Sequence, residues 1–127
     1  MSSTHPTDAA EAIDAVLAAF TEGAAVRDLD RVRRALHPES RMFVPRPDGM
    51  QIIDRDTYLG LMEAGKVGGT PADRRLLQIE VDRAAASARQ VRDMGAVALH
   101  DAVSLVRGPE GWTIACLVVQ RVASADA

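Results

Sequence analysis

The sequence predicts one α+β domain in which helices come first and an antiparallel sheet follows. Apolar residues recur at three- and four-residue spacing from Ala9 to Val26, which predicts a long amphipathic helix. Two apolar runs between Met94 and Val122 flank a Gly-Pro-Glu-Gly turn, which predicts a β-hairpin. The helical and strand patterns are segregated along the chain. A parallel α/β fold would alternate them.

Length and composition limit the classes of partner. A chain of 127 residues is enough for one domain with a core of its own. The formal charge is -3, and the arginines are interleaved with Asp and Glu, which argues against nucleic acid or an anionic membrane as a partner. No apolar stretch approaches the ~20 residues of a membrane span, and the N-terminus lacks a signal-peptide pattern. We therefore expect a cytoplasmic protein.

The single cysteine, Cys116, excludes an intramolecular disulfide. It lies in the apolar run Ile-Ala-Cys-Leu-Val-Val, where no neighbour would stabilise a thiolate. The sequence therefore favours a small buried hydrophobe over a reactive nucleophile.

The first two helices are expected to follow a mobile tail of residues 1–7, which includes His5 and has no assigned role. Asp8 is expected to cap the first helix. A second, short helix should stop before Pro38, because the residue that precedes a proline disfavours α geometry. His37 would then lie at the helix end, and bonding to the last carbonyls is favoured there over catalysis.

A small hairpin and a third helix are expected next. Residues 41–46 and 50–53 read as strands around a Pro-Asp-Gly turn, and Pro45 suggests an edge strand. Either Asp54 or Asp56 should cap the third helix, which is followed by a glycine-rich loop.

The remainder of the chain is expected to be a meander of about four strands. Residues 76–81 alternate between apolar and polar side chains, and residues 87–93 form a returning strand with exposed arginines. The hairpin of the opening paragraph completes the sheet. The domain would span residues 8–123, with residues 124–127 as a C-terminal tail.

Two segments of the hairpin predict a second subunit. Residues 96–99 and 114–119 are continuously apolar, whereas a strand with one solvated face should alternate. Three helices can cover one face of the sheet. A second copy of the chain is the simplest cover for the other face, so we expect a homodimer through the sheet.

The adjacent residues His100 and Asp101 are the candidate chemical groups. By strand alternation, Asp101 shares a face with the bulky Leu99 and Val103. If that face meets the helices, Asp101 points inward and His100 points toward the partner; the reverse assignment makes His100 the inner group. The structural alternative is an Asp101 bonded to a backbone amide or to an arginine such as Arg89.

Four segments, taken in order, resemble the nuclear transport factor 2-like superfamily and, within it, the small bacterial group called putative lumazine-binding or SnoaL-like proteins. Residues 27–30 (Arg-Asp-Leu-Asp) resemble the acidic link between its first two helices, and residues 36–40 (Leu-His-Pro-Glu-Ser) resemble its Phe-His-Pro-Asp-Ala segment. Residues 101–105 (Asp-Ala-Val-Ser-Leu) resemble its Asp-x-x-Ser-Leu strand, and residues 111–114 (Gly-Trp-Thr-Ile) its Gly-x-Trp-x-Ile strand start.

The resemblance implies a cone-shaped, cystatin-like fold: a curved antiparallel sheet wraps over three helices, encloses a pocket and usually dimerises. Enzymes of this superfamily include ketosteroid isomerases, polyketide cyclases, dehydratases and epoxide hydrolases, which combine an apolar cone with one or two ionisable groups. An apolar wall raises the pKa of a carboxyl group toward neutrality, where the group can act as a general acid or base. The side chains expected to line the cone are Phe20, Phe43, Tyr58, Met62, Leu99 and Trp112, although Trp112 is favoured as core packing.

Three functions remain open from the sequence. An acid-base enzyme of the isomerase, cyclase or dehydratase type would place Asp101 or His100 in a cavity, acting on a small, mostly apolar substrate. A non-catalytic small-ligand binder would have its ionisable group fully paired. A structural or regulatory dimer module would have a filled cone, which the small number of aromatic residues disfavours. Phosphate loops, nucleophile elbows and metal-ligand spacings do not occur in the sequence, so no cofactor and no metal is expected.

Overall fold

The computed structural model describes residues 6–123, with side chains from Asp8 onward. The predictions for His5, for the rest of residues 1–5 and for residues 124–127 lie outside the described residues. The helices are α1 (Pro6–Val26), α2 (Leu29–Ala35) and α3 (Arg55–Glu63). The strands are β1 (Leu36–Arg46), β2 (Gly49–Asp54), β3 (Asp73–Asp82), β4 (Ala85–Asp93), β5 (Val97–Gly108) and β6 (Gly111–Ala123).

The strands form one curved sheet in the order β2-β1-β6-β5-β4-β3. Every neighbouring pair is antiparallel except β1 and β6, which run parallel. Helix α1 packs on β3 and β6, and α2 and α3 pack on β1. The predicted α+β class with three helices against one sheet is confirmed, while the parallel pair was not predicted.

Helix α1 supplies the largest apolar surface of the core. Ile13, Leu17 and Phe20 have no exposed surface, and their spacing places them on one helix face. The helix begins at Pro6, so the prediction that residues 6 and 7 belong to the tail is wrong. Proline suits the first helical position, because its fixed φ is helical and that position needs no N–H donor.

Helix α2 ends at Ala35, and His37 lies in β1. The prediction of His37 as a helix-end residue is therefore wrong. The helix ends two residues earlier than expected. Pro38 favours extended geometry in His37, and Leu36 is already extended, with φ -99° and ψ 131°. The His37 Nδ1 atom accepts a hydrogen bond from the Glu39 amide at 2.9 Å, which is a local turn contact rather than a bond to the helix carbonyls.

Strand β1 lies inside the sheet, so the prediction of an edge position from Pro45 is wrong. Pro45 pairs with Met50 of the edge strand β2. Its other side lies beyond the last β1–β6 pair, Phe43 with Val118. A proline is tolerated here because the ladder on that side has already ended.

The predicted C-terminal hairpin and one of the two predicted caps of the third helix both form. Strands β5 and β6 make the hairpin, with Gly108 opposite Gly111 across the turn. Asp54, rather than Asp56, caps α3, and its Oδ1 accepts a hydrogen bond from the Thr57 amide at 2.8 Å. This cap holds the pKa of Asp54 below its ordinary value, chiefly through the bond from the Thr57 amide.

Candidate functional site

A cavity of about 300 Å³ lies between the helices and the inner face of the sheet. Helices α1 and α3, the loop that follows α3 and five of the strands contribute to its wall. Most of the wall is apolar, and its larger apolar side chains are Met42, Val44, Ile53, Leu99 and Val119. The cone implied by the resemblance is therefore present and is not filled by its own side chains.

Two of the six side chains expected to line the cone do so, Tyr58 and Leu99. Phe20 and Met62 are fully buried in the core, and Trp112 packs at the far end of the hairpin beneath Arg107, whose guanidinium carbon lies 5.8 Å from the indole centroid. Phe43 lies on the other face of β1, because its neighbours Met42 and Val44 point into the cavity and adjacent strand residues alternate. The expected role in the wall is thus wrong for these four.

Strand β5 directs Asp101 inward and His100 outward. Asp101 is 2% exposed and shares its face with the buried Val103 and Leu105. His100 lies on the opposite face, paired across the ladders with Val91 and Gln120. Its Nε2 atom is buried and has no hydrogen-bond partner within residues 6–123. Neither residue lines the cavity.

The Asp101 carboxylate is fully engaged by strand β4. It accepts hydrogen bonds from Arg92 Nε at 2.6 Å and Arg92 Nη2 at 2.8 Å, and from Gln90 Nε2 at 2.8 Å. The partner is therefore Arg92 rather than Arg89, which pairs with Ala102 on the outer face. Arg92 is 6% exposed, so the prediction that the arginines of this strand are exposed is wrong for Arg92.

Arg92 connects the ion pair to the cavity. Burial by itself would lower the pKa of Arg92, but the Asp101 carboxylate raises it above its ordinary value, so the guanidinium is charged. The ring of Phe20 lies 5.2 Å from the guanidinium carbon and supports it through a cation–π contact. Arg92 Nη1 has no hydrogen-bond acceptor in the described part of the chain, and Arg92 lines the cavity.

The ion pair extends into a row of polar residues that crosses the sheet. Gln90 Oε1 accepts a long contact from Arg74 Nη1 at 3.5 Å. The same Arg74 nitrogen lies 2.7 Å from Asp14 Oδ1 on helix α1. Asp14, Arg74, Gln90, Asp101 and Arg92 therefore link α1 to three strands. Such a network fixes how the helix sits on the sheet.

Tyr58, the only tyrosine in the sequence, presents a phenol to the cavity. Burial raises the pKa of Tyr58 above 10.0, Arg92 opposes that shift and Asp101 adds to it. The phenol is therefore protonated near neutral pH. Its ring lies 6.1 Å from that of Phe20, which connects it to the same group of side chains as Arg92.

Arg27 fastens the loop that forms one wall of the cavity. Its Nε donates to Val67 O at 3.0 Å, and its Nη2 donates to Gly65 O at 3.1 Å and Gly68 O at 3.0 Å. The Gly69 amide also donates to Ala24 O at 2.9 Å. From the sequence, Arg27 was predicted only as part of the connection between the first two helices. The glycine-rich composition of residues 65–69 was the one available signal that this loop is held close to another backbone.

The glycines of this loop are required by its geometry. Gly68 and Gly69 have φ values of 75° and 83°, a region that other residues rarely adopt. A Cβ at Gly68 would lie 2.6 Å from Ala24 O, and one at Gly69 would lie 2.6 Å from Arg27 Cζ. The contact at Gly68 is with fixed backbone, so the loop can approach α1 only because Gly68 has no side chain.

Other candidate chemistries find little support among residues 6–123. No group of three or more His, Cys, Asp or Glu side chains there could hold a metal ion. None of the helices in this described part of the chain is long and apolar enough to cross a membrane. Cys116 is half-buried on β6, so the prediction of a small buried hydrophobe is only partly met.

The three helices, the curved open sheet and the cavity between them define the nuclear transport factor 2-like class, also called cystatin-like. Residues 8–118 match the model of the family described as putative lumazine-binding, and the chain belongs to that family. The match covers the polar row and most of the cavity wall.

Solved structures give the same fold. A nuclear transport factor 2-like protein of unknown function from Shewanella baltica is 21% identical, with a TM-score of 0.84 over 96% of this chain and 100% of that one. A ketosteroid isomerase-like protein from Erwinia carotovora is 14% identical, with a TM-score of 0.73 over 94% and 99% of the two chains. A cystatin-like protein from Nostoc punctiforme is 10% identical, with a TM-score of 0.74 over 97% of each chain. A search of curated proteins gave no match.

Proposed function

We propose that this protein binds a small organic molecule in the cavity of the cone, and that Asp101 has a structural role there. The observation that supports this most directly is the combination of an unfilled cavity of about 300 Å³ with an Asp101 carboxylate that already accepts three hydrogen bonds. A non-catalytic binder was expected to have this combination.

Acid-base catalysis through Asp101 or His100 is less well supported. A general acid or base must come within hydrogen-bond reach of the proton that it transfers. Neither side chain lines the cavity, and Asp101 would have to break a buried ion pair before it could accept a proton. A purely structural module is also less well supported, because its cone should be filled.

The cavity suits a ligand at the lower end of the size range of small-molecule sites, which begins at about 300 Å³. Its wall is mainly apolar, so the ligand should have an apolar or aromatic body. Lumazine, the compound in the family's description, belongs in a screen as a flat heteroaromatic candidate.

A binding screen with a cavity-filling variant tests this proposal. Small aromatic and aliphatic compounds, lumazine included, would first be ranked by thermal shift and then measured by isothermal titration. Val44→Phe places extra volume in the cavity and should abolish binding of the best compound. Val26→Phe is the matched control, because Val26 is 72% exposed at the end of α1 and lies outside the cavity wall.

The proposal is contradicted if Val44→Phe, shown to be folded by circular dichroism, binds as well as the unmodified protein. It is also contradicted if no compound of the panel binds. Loss of binding in both variants would place the site elsewhere than in the cone.

We further propose that two copies associate through the outer face of the sheet. Ala102 and Ser104 are exposed on this face, and Cys116 and Val118 are half-buried beside them, which gives a patch of small side chains. His100 lies on the same face, although its Nε2 atom is already buried within the single chain. A second copy is the favoured occupant because these are the strands with continuous apolar runs.

A further inference from the structure

The charges around the cavity point to the chemistry of its ligand. Four wall residues are basic, Arg46, Lys66, Arg92 and Arg121, and the wall has no Asp or Glu from the described residues. The whole chain carries a formal charge of -3, so this wall has the opposite sign to the protein. Asp101 balances Arg92, and the other three cations leave the cavity positive.

The buried part of the wall holds hydrogen-bond donors without acceptors. Tyr58 is 7% exposed, and its protonated phenol has no hydrogen-bond acceptor in the described part of the chain. Arg92 Nη1 points its remaining N–H groups away from the two contacts to Asp101. A buried polar group without a partner costs free energy, so a ligand that supplied an acceptor oxygen would be favoured.

The outer part of the wall holds the exposed cations. Arg46 donates Nε and Nη2 to Gln51 Oε1 at 2.9 and 2.7 Å, which holds it beside the cavity. Lys66 and Arg121 are exposed and have no hydrogen-bond acceptor in the described part of the chain. Cations that line a cleft raise the local concentration of anions.

We infer that the cavity binds an organic anion, namely a carboxylate on an apolar body. The carboxylate accepts hydrogen bonds from the phenol of Tyr58 and from the free edge of Arg92, and the apolar body packs on Met42, Val44 and Val119. This inference rests on the proposed function and specifies the charge of its ligand. It also gives the Arg92–Asp101 pair a role in binding, because Asp101 holds Arg92 with one edge toward the cavity.

Matched acid and neutral compounds test the charge directly. Isothermal titration would compare benzoate with benzamide and octanoate with octan-1-ol near neutral pH. The acid of each pair should bind at least about tenfold more tightly. Its affinity should fall as salt is added, because the cations at the rim are exposed and screened. Lys66 is the only lysine in the sequence, so a ¹³C label at lysine Cε gives one side-chain signal, which should move on addition of the acids.

Two substitutions locate the anion without disturbing the buried ion pair. Tyr58→Phe keeps the ring and removes the hydroxyl, and should weaken binding of the acids about fivefold. Arg121→Gln should weaken binding of the acids and reduce its salt dependence. Arg75→Gln is the control, because Arg75 is an exposed arginine of β3 outside the cavity wall and its removal should change neither quantity.

The outcomes separate this inference from the proposed function. If benzamide and octan-1-ol bind as tightly as the acids, the charge inference is wrong and the cavity remains a ligand site. If no acid binds, but neutral compounds bind and lose affinity in Val44→Phe, the charge inference is again wrong and the cavity remains a ligand site. Tighter binding of phenylphosphonate than of benzoate would overturn the assignment of a carboxylate. Unchanged affinity in Tyr58→Phe would overturn the proposed position of the anion.

Discussion

Arg92 and Asp101 form a buried ion pair on neighbouring strands, with contacts of 2.6 and 2.8 Å between guanidinium and carboxylate. Asp101 lies opposite Gln90 in the β4–β5 ladder, and Arg92 is the next residue of β4 on the same face. The inward-pointing carboxylate is therefore already bonded to side chains of the neighbouring strand β4. The cavity receives the other edge of Arg92 instead.

Asp101→Asn should destabilise the protein by about 3–5 kcal/mol, because it leaves the Arg92 charge buried without its counter-charge. Urea denaturation followed by circular dichroism measures this loss. Asp48→Asn is the control, because Asp48 is exposed in the β1–β2 turn and its change should stay within about 0.5 kcal/mol. Equal stability of the two variants would contradict the structural role of Asp101.

Replacing both members of the pair separates charge burial from simple loss of contacts. The double variant Asp101→Leu with Arg92→Met removes both charges and should recover most of the stability that Asp101→Asn loses. The free energy of unfolding of the double variant and of each single variant gives the coupling energy. A double variant as unstable as the sum of its parts would show that the pair does not act as a unit.

Tyr58 should titrate above pH 10.0 in the folded protein. Its raised pKa means that the native state binds the phenol proton more tightly than the unfolded state. This contribution to stability is complete below the unfolded pKa of about 10 and is lost as pH rises through the folded value. Because the chain has one tyrosine, phenolate absorbance reports Tyr58 alone. A native midpoint no higher than that of the protein in guanidinium would contradict the burial of this phenol.

Arg27→Met should loosen the loop at residues 65–69, because it removes three hydrogen bonds to loop carbonyls. Amide hydrogen exchange should accelerate there, and stability should fall by about 1–2 kcal/mol, since these bonds are exposed. Arg34→Met on α2 is the matched control, because Arg34 is exposed and has no hydrogen-bond partner in the described region. Equal exchange of the loop amides in both variants would rule out this role of Arg27.

Ala102→Arg should convert the proposed dimer into a monomer, because it places a charged side chain in the centre of the outer sheet face. Sedimentation velocity measures the change in mass. Ala15→Arg is the control, because Ala15 is exposed on α1, on the helical side of the molecule. A monomeric unmodified protein, or a dimer that survives Ala102→Arg, would refute association through this face.

The sequence was most informative where a pattern is local. Alternation along β5 correctly separated Asp101 from His100, and the Gly-Pro-Glu-Gly turn located the hairpin. Arg92 was missed because burial of an arginine depends on a partner strand that a single strand pattern does not reveal. The available signal was that Arg92 shares its face with the small, buried Ala86 and Ala88.

Other errors have the same origin in long-range pairing. Pro45 suggested an edge strand, yet β1 pairs with β2 and, in parallel, with β6, whose paired residues lie 75–78 positions further along the sequence. The contact between Arg27 and the loop after α3 also joins distant segments. Propensity and spacing describe each element by itself. They therefore predicted which elements form better than they predicted which elements pair with one another.

Methionine methyl NMR tests the ligand site most directly, because the described methionines report on different places. Met42 and Met94 line the cavity, Met62 is buried outside its wall, and Met50 is 55% exposed on β2. With ¹³C-labelled methionine methyl groups and a carboxylate ligand, we expect saturable shifts of the Met42 and Met94 methyl resonances and constant resonances for Met50 and Met62. Shifts confined to Met50 or Met62, or no saturable shift at any of the four, would contradict it.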